Sequence, residues 1–418
     1  MMRGGGGANN VYSLPENLFS RAMCAITCEQ ETHKFLLATN AIKRENEVHL
    51  INYSEDSNRI DQEQVYSIEG QGVWSISSSP YDKGVFVCGI AGHAESGSEQ
   101  NYVGIFHMDE ESEQPASKEF DKKPLKPTLE LVGEHSSHVH SIVWEDSEHN
   151  EGFTPKELIS ADSDKVVIWD LKAGKSKAKV DASLLSKQEF SECTVVKRDP
   201  HHSNLLCIGV NNGFYQVDLR DKAGLQASLR QDVAHSDLIM DLDYNPNKLN
   251  TIATCGQDSA LRFWDLRKAD RCQLEFEENS HWINKVKYNK FHDQLLLTGC
   301  SSTFISLYRA SSVSQMPLSH VPLADLNSSS TFIMTTMTIQ DGMGLETERI
   351  LTTNRGGDHN QASTDDAQDK VIQRYELEDS VQIVEWSAAD PWIFAGVSYN
   401  GTFFLNHVPS KEKYKILL

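Results

Sequence analysis

Apolar and polar residues alternate in short runs along this chain, and the runs recur in a fixed order. From Val233 the sequence reads VAHSDLIMDLDYNPNKLNTIATCGQDSALRFWDLR, from Glu278 ENSHWINKVKYNKFHDQLLLTGCSSTFISLYR, and from Glu376 ELEDSVQIVEWSAADPWIFAGVSYNGTFFLNHV. Each unit leads from a polar loop into an alternating stretch that ends on an aromatic residue, Tyr244, Tyr288 or Trp386. A turn, a small and apolar stretch (TIATCG, LLLTGC, IFAGVS), a tight turn and a second alternating stretch complete it. Period-two alternation set off by turn formers predicts short, half-buried strands.

Weaker copies occupy residues 22–53, 72–108, 138–171 and 194–220, which makes seven. The least interrupted step, from Tyr244 to Tyr288, is 44 residues, and a four-stranded propeller blade takes about 40 to 45. A single blade cannot bury both of its apolar faces, so such units pack around an axis and close. The expected fold is therefore all-β: one domain over residues 1–418, a seven-bladed WD-repeat β-propeller with long inserted loops.

Residues 109–127 and 311–370 are those loops. The first is acidic, then basic, with three prolines and no periodicity, and is expected to be a mobile loop. The second is rich in Ser, Thr, Gly, Asp and Gln, with disorder expected over 356–369; within it TFIMTTMTI (331–339) is apolar enough for an extra strand or a docking segment. Residues 1–9 are expected to be flexible. Residues 11–14, with β-favouring Val11 and Tyr12, are placed to supply the outer strand of the last blade and so close the ring, removing exposed edges.

Two Trp-Asp pairs, Trp169-Asp170 and Trp264-Asp265, end predicted third strands. Around the second, His235, Thr254, Asp258 and Trp264 have the order and spacing of the hydrogen-bonded tetrad of WD-repeat blades. Tryptophan only donates and a neutral histidine does both, so such a chain satisfies polar groups that blade packing would leave dry. This makes the Asp-His pair structural; no G-x-S-x-G elbow accompanies it. Trp282 falls where a loop enters a first strand, near one rim of the ring, and is the candidate partner-binding residue, with packing between blades as the competing role. Trp392, after Asp390-Pro391, reads as structural. His135, His138 and His140, like His201 and His202, fall where capping or tetrad roles are commoner than metal binding. No metal or cofactor site and no catalytic residue is assigned.

Composition narrows the function. With 39 basic and 60 acidic residues among 418, the net charge is −21, which argues against nucleic acid as a ligand and against adhesion to anionic lipid. No apolar run approaches the length of a membrane span, and MMRGGGGANN lacks a signal-peptide core, so the chain is expected to stay cytosolic without inserting into a membrane. The eight cysteines are scattered singly, and the nearest pair, Cys24 and Cys28, is expected to share one face of a strand as free thiols.

Residues 379–418, with ADPW, an SYNG turn and a terminal KYKILL, resemble the C-terminal signature of the EARP and GARP complex-interacting protein family. NSHWINKVKYNKFHDQLLLTGCSS, AHSDLIMDLDYNPNK and GQDSALRFWDLR carry the same resemblance. It implies a non-enzymatic cytoplasmic adaptor that binds subunits of the tethering complexes EARP (endosomes) and GARP (trans-Golgi network), with Rab-type small GTPases reached indirectly. It further implies support of membrane recruitment, endosomal recycling, retrieval to the trans-Golgi network and dense-core vesicle maturation. A cullin-type ubiquitin ligase receptor is the alternative, suggested by Asp265-Leu266-Arg267 and Asp218-Leu219-Arg220. A propeller enzyme would show a convergent titratable cluster at the channel mouth.

Overall fold

In a computed structural model the described residues are 10–15, 18–41, 45–70, 72–93, 99–108, 122–145, 155–186, 188–221, 226–315 and 369–417. The chain is a seven-bladed β-propeller. After β1 (Val11–Ser13), blade 1 is β2 (Ser20–Ala25), β3 (His33–Thr39), β4 (Asn46–Ser54) and β5 (Arg59–Ile68). Blade 2 is β6 (Gly72–Ser78), β7 (Val85–His93), β8 (Glu99–His107) and, past a short β9 (Lys123–Leu125), β10 (Leu129–His135). Blade 3 is β11 (Ser141–Trp144), β12 (Glu157–Ala161), β13 (Lys165–Asp170) and β14 (Lys175–Asp181), followed by one turn of helix, α1 (Ala182–Leu185). Blade 4 is β15 (Cys193–Arg198), β16 (Leu205–Val210), β17 (Gly213–Asp218) and β18 (Ala227–Gln231). Blade 5 is β19 (Ile239–Tyr244), β20 (Thr251–Gly256), β21 (Leu261–Asp265) and β22 (Leu274–Phe276). Blade 6 is β23 (Ile283–Tyr288), β24 (Leu295–Cys300), β25 (Phe304–Arg309) and β26 (Lys370–Glu376). Blade 7 is β27 (Val381–Trp386), β28 (Ile393–Ser398) and β29 (Thr402–His407), and α2 (Ser410–Leu417) ends the chain.

Burial explains the sequence pattern. The second strands β20, β24 and β28 are buried at every position, because both of their faces meet neighbouring blades. Outer strands such as β18 alternate between half-buried and exposed. The buried apolar residues fall into seven clusters, one between each pair of consecutive blades. The ring closes on β1, whose Val11, Tyr12 and Ser13 pair antiparallel with Phe404, Phe403 and Thr402 of β29. The SYNG turn before β29 needs its glycine: Gly401 has φ +82°, and an added Cβ would lie 2.8 Å from Leu14 Cδ1.

Several expectations require correction. The 109–127 segment is not wholly a loop: β9 lies within it and pairs in parallel with the edge strand β5 of blade 1. Pro124 is tolerated because β9 is a sheet edge, where a missing N–H costs no ladder bond. The second insertion is narrower than 311–370, since Ser311, Val313 and Ser314 are buried and Asp369 accepts the Ser312 N–H at 2.9 Å. It leaves from inside the sixth blade, between β25 and β26. Cys28 lies in the turn after β2, so it does not share a strand with Cys24. Residues 1–9, 331–339 and 356–368, and 109–121 of the expected mobile loop, lie outside the described residues.

Candidate interaction face

Strand direction reverses at each step within a blade, so the molecule has two distinct faces. Connections between blades, and those between second and third strands, emerge on one face, here the entry face. The remaining connections and α2 emerge on the other. Loops held on a rigid scaffold are where propellers recognise partners.

On the entry face of blade 5 the structure brings His235, Thr254, Asp258 and Trp264 together. Trp264 Nε1 donates to Thr254 Oγ1 at 2.9 Å; Thr254 Oγ1 is 2.8 Å from His235 Nε2, and His235 Nδ1 is 2.9 Å from Asp258 Oδ1. A carboxylate can only accept, so Nδ1 carries the proton and Nε2 accepts from the Thr254 hydroxyl. Burial lowers the His235 pKa against the pull of Asp258, and the nearby Arg262 guanidinium lowers it further. Burial works against ionisation of Asp258, yet bonds from His235, Arg262 and the Ser236 N–H hold its carboxyl well below the usual carboxylate range. Gly256 makes room for the ring, since a Cβ there would lie 2.9 Å from His235 Nδ1. The chain of bonds therefore ties the entry loop to a turn and to two strands of its blade.

Blade 3 repeats the arrangement with residues the sequence reading did not name as a set. Trp169 Nε1 donates to Ser160 Oγ at 2.7 Å, Ser160 Oγ is 2.7 Å from His135 Nε2, and His135 Nδ1 is 3.1 Å from Asp162 Oδ2. The signal was the Trp169-Asp170 pair with Asp162 in the turn before it. The three clustered histidines part company. His138 stacks on Trp74 with ring centroids 4.0 Å apart, and His140 lies against the central channel. His201 Nε2 meets the Asn245 carbonyl oxygen, and His202 Nδ1 meets Asp199 Oδ2, each at 3.1 Å.

Trp282 stands on the entry face with 44% of its surface exposed, its ring tilted against His281. Its backbone is fixed: its N–H donates to His281 Nδ1 and its carbonyl accepts the Ser301 N–H, both at 2.9 Å. Trp392, on the opposite face, stacks on His292 with centroids 4.4 Å apart and lies under Lys413 of α2. There α2 is anchored by Arg309 Nη1 donating to Glu412 Oε2 at 2.9 Å, with both side chains buried. The arginines of the two Asp-x-Arg motifs each fold back on their own aspartate, Arg267 on Asp265 and Arg220 on Asp218, at 2.6 Å.

A central cavity of about 610 Å³ is walled by the inner strands. Its charges pair across successive blades. Lys197 Nζ lies 3.7 Å from Asp243, Lys285 Nζ lies 3.6 Å from Asp241, and Lys287 Nζ lies 2.8 Å from Glu385. Asp241 and Asp243 also accept the N–H groups of Val286 and Tyr288 from blade 6. This alternating ladder links blades 4 to 7 and was not legible in sequence, because no local pattern marks it.

Residues 10–308 match the EIPR1 beta-propeller family model. The chain is 32% identical over 409 residues to "EARP and GARP complex-interacting protein 1" of Homo sapiens, covering 96% of each chain. It is 25% identical to "EARP-interacting protein 1" of Caenorhabditis elegans over 95% of this chain and 96% of that one. It is also 24% identical to "WD repeat-containing protein DWA2" of Arabidopsis thaliana over 93% and 94% of the two chains.

Proposed function

The chain belongs to the EIPR1 β-propeller family, and from that premise we propose that it is a non-enzymatic adaptor binding the EARP and GARP tethering complexes. In this reading it acts in the cytoplasm, peripherally at endosomes and the trans-Golgi network. It supports recruitment of the tethers in endosomal recycling, retrieval to the trans-Golgi network and dense-core vesicle maturation, with Rab-type GTPases engaged only indirectly. The observation that carries the reading is near full-length similarity to relatives named for interaction with these complexes. The geometry is consistent with a binding role: Trp282 offers a large aromatic surface from a loop fixed by its own backbone bonds, and such residues dominate binding hot spots.

The test is a pulldown of the subunits shared by EARP and GARP from cell extract, with wild type and Trp282→Ala side by side. Wild type should retain them, and Trp282→Ala should weaken retention by about 2 kcal/mol or more while leaving thermal stability nearly unchanged. Wild type failing to retain the subunits would refute the adaptor reading. A Trp282→Ala protein that unfolds would assign the residue to packing.

A further inference from the structure

The entry face of blades 4 to 6 combines exposed apolar side chains with an excess of exposed carboxylates. Leu184 (67% exposed), Phe190 (83%), Val233 (66%) and Trp282 project from three successive blade-to-blade connections. These are held in fixed relation. The Asn211-Asn212 turn bonds to both of the first two: Asn211 Nδ2 donates to the Phe190 carbonyl at 2.6 Å, and Asn212 O accepts the Ala234 N–H at 2.9 Å. The blade 5 tetrad pins the Val233 loop from beneath.

Around these side chains stand Glu189, Glu192, Asp237 and Glu277, all exposed and none paired with a Lys or Arg among the described residues. Lys187 is the only Lys or Arg in the sequence of the three connections and of the turns between them. Arginines on nearby strands are engaged: Arg230 donates to the Leu185 carbonyl, Arg262 pairs with Asp258 and Glu275, and Arg374 pairs with Glu278. On the opposite face of blades 5 and 6 the connections instead carry Lys248, Arg267, Lys268, Arg271 and Lys290.

We propose that the Phe190, Val233 and Trp282 surface docks a basic amphipathic helix of a protein partner, apolar side chains on the aromatic patch and Lys or Arg on the surrounding carboxylates. An 18-residue helix is about 27 Å long. Packed sheets lie about 10 Å apart, so such a helix can run across three adjacent blades. Complementary charge sets orientation and association rate, while the buried aromatic supplies affinity. The inference rests on the adaptor reading for the identity of the protein that presents the helix, and not for the chemistry of the surface.

The test uses the full chain and two 18-residue fluorescent peptides, one with Leu at i, i+3, i+4 and i+7 spacing and Lys elsewhere, the other with Glu in place of Lys. Fluorescence anisotropy should show wild type binding the Lys peptide, more weakly as salt rises, and not the Glu peptide. Trp282→Ala and a variant combining E189Q, E192Q, D237N and E277Q should each weaken Lys-peptide binding by about tenfold or more. A control with the same change in net charge, combining E31Q, D56N, D221N and D270N on the opposite face, should bind as wild type. Equal loss in both quadruple variants, or none in either, overturns the proposal in favour of diffuse attraction to an acidic protein. A wild-type dimer in sedimentation that the entry-face variants dissociate overturns it in favour of a second copy of this chain. In the tether pulldown, retention by wild type and equally by both entry-face variants sinks this surface but leaves the adaptor reading. Selective peptide binding without tether retention does the reverse.

Discussion

Thr254→Val isolates the hydrogen bonds of the blade 5 tetrad from its packing. The two side chains have nearly the same shape, so no cavity opens at this fully buried position, and what is lost is one hydroxyl. That hydroxyl accepts from Trp264 Nε1 at 2.9 Å and lies 2.8 Å from His235 Nε2. Both partners are almost wholly buried, at 3% and 1% exposure, so water cannot replace it. A buried polar group left without a partner costs about 1 to 3 kcal/mol. Two such groups, not fully additive, give about 3 kcal/mol, read as a fall in the urea midpoint with the slope unchanged. The protein supplies its own control. Thr298 occupies the same position in blade 6, equally buried, but no Trp-His chain runs through its hydroxyl, and the neighbouring Tyr308 hydroxyl keeps Asn279 as a partner at 2.9 Å. Thr298→Val strands no tryptophan or histidine and should therefore cost about 1 kcal/mol or less. Equal midpoint shifts for the two variants would refute the assignment of stability to the tetrad's bonds.

Three further outcomes are expected. Removing residues 1–15 deletes β1 and exposes the edge of β29, so it should lower the melting temperature and promote association in light scattering, whereas removing 1–9 should do little. Glu412→Gln takes away the carboxylate facing buried Arg309 and should destabilise by about 3 kcal/mol; a melting temperature equal to that of wild type would show that α2 is not a structural anchor. Burial, then Lys285, lowers the pKa of His140 from 6.5 to about 4. The unfolded chain thus binds more protons between those values, and stability present above pH 6.5 should drain away as pH falls toward 4, by at most about 3 kcal/mol. Asp162 and Asp258, both held below the usual carboxylate range, lose their contribution only at lower pH. His140→Gln should make urea midpoints fall less steeply between pH 6.5 and 4.5, with a remainder from His235, whose pKa is lowered in the same direction, and an unchanged slope would reassign the effect.

The blade was legible in the amino-acid pattern. Period-two alternation reports whether a strand has one face buried or two, and TIATCG, LLLTGC and IFAGVS became β20, β24 and β28, buried on both sides. It also determined the ring, because seven such units have nowhere to bury their faces but against each other, and residues 11–14 were readable as the closing strand because they are β-favouring residues outside every repeat. His235, Thr254, Asp258 and Trp264 were legible as a set since one blade supplies all four at family spacing.

The relations between blades emerge only once the ring is closed. Which face carries the aromatic and acidic side chains follows from strand direction around the ring. Arg309 meets Glu412 across 103 residues, and Lys197, Asp243, Asp241, Lys285, Lys287 and Glu385 meet because inner strands of successive blades lie side by side. The physical reason is that periodicity encodes each residue's exposure within its own strand. A charge pair or a composite surface depends instead on which strands the closed ring sets next to one another.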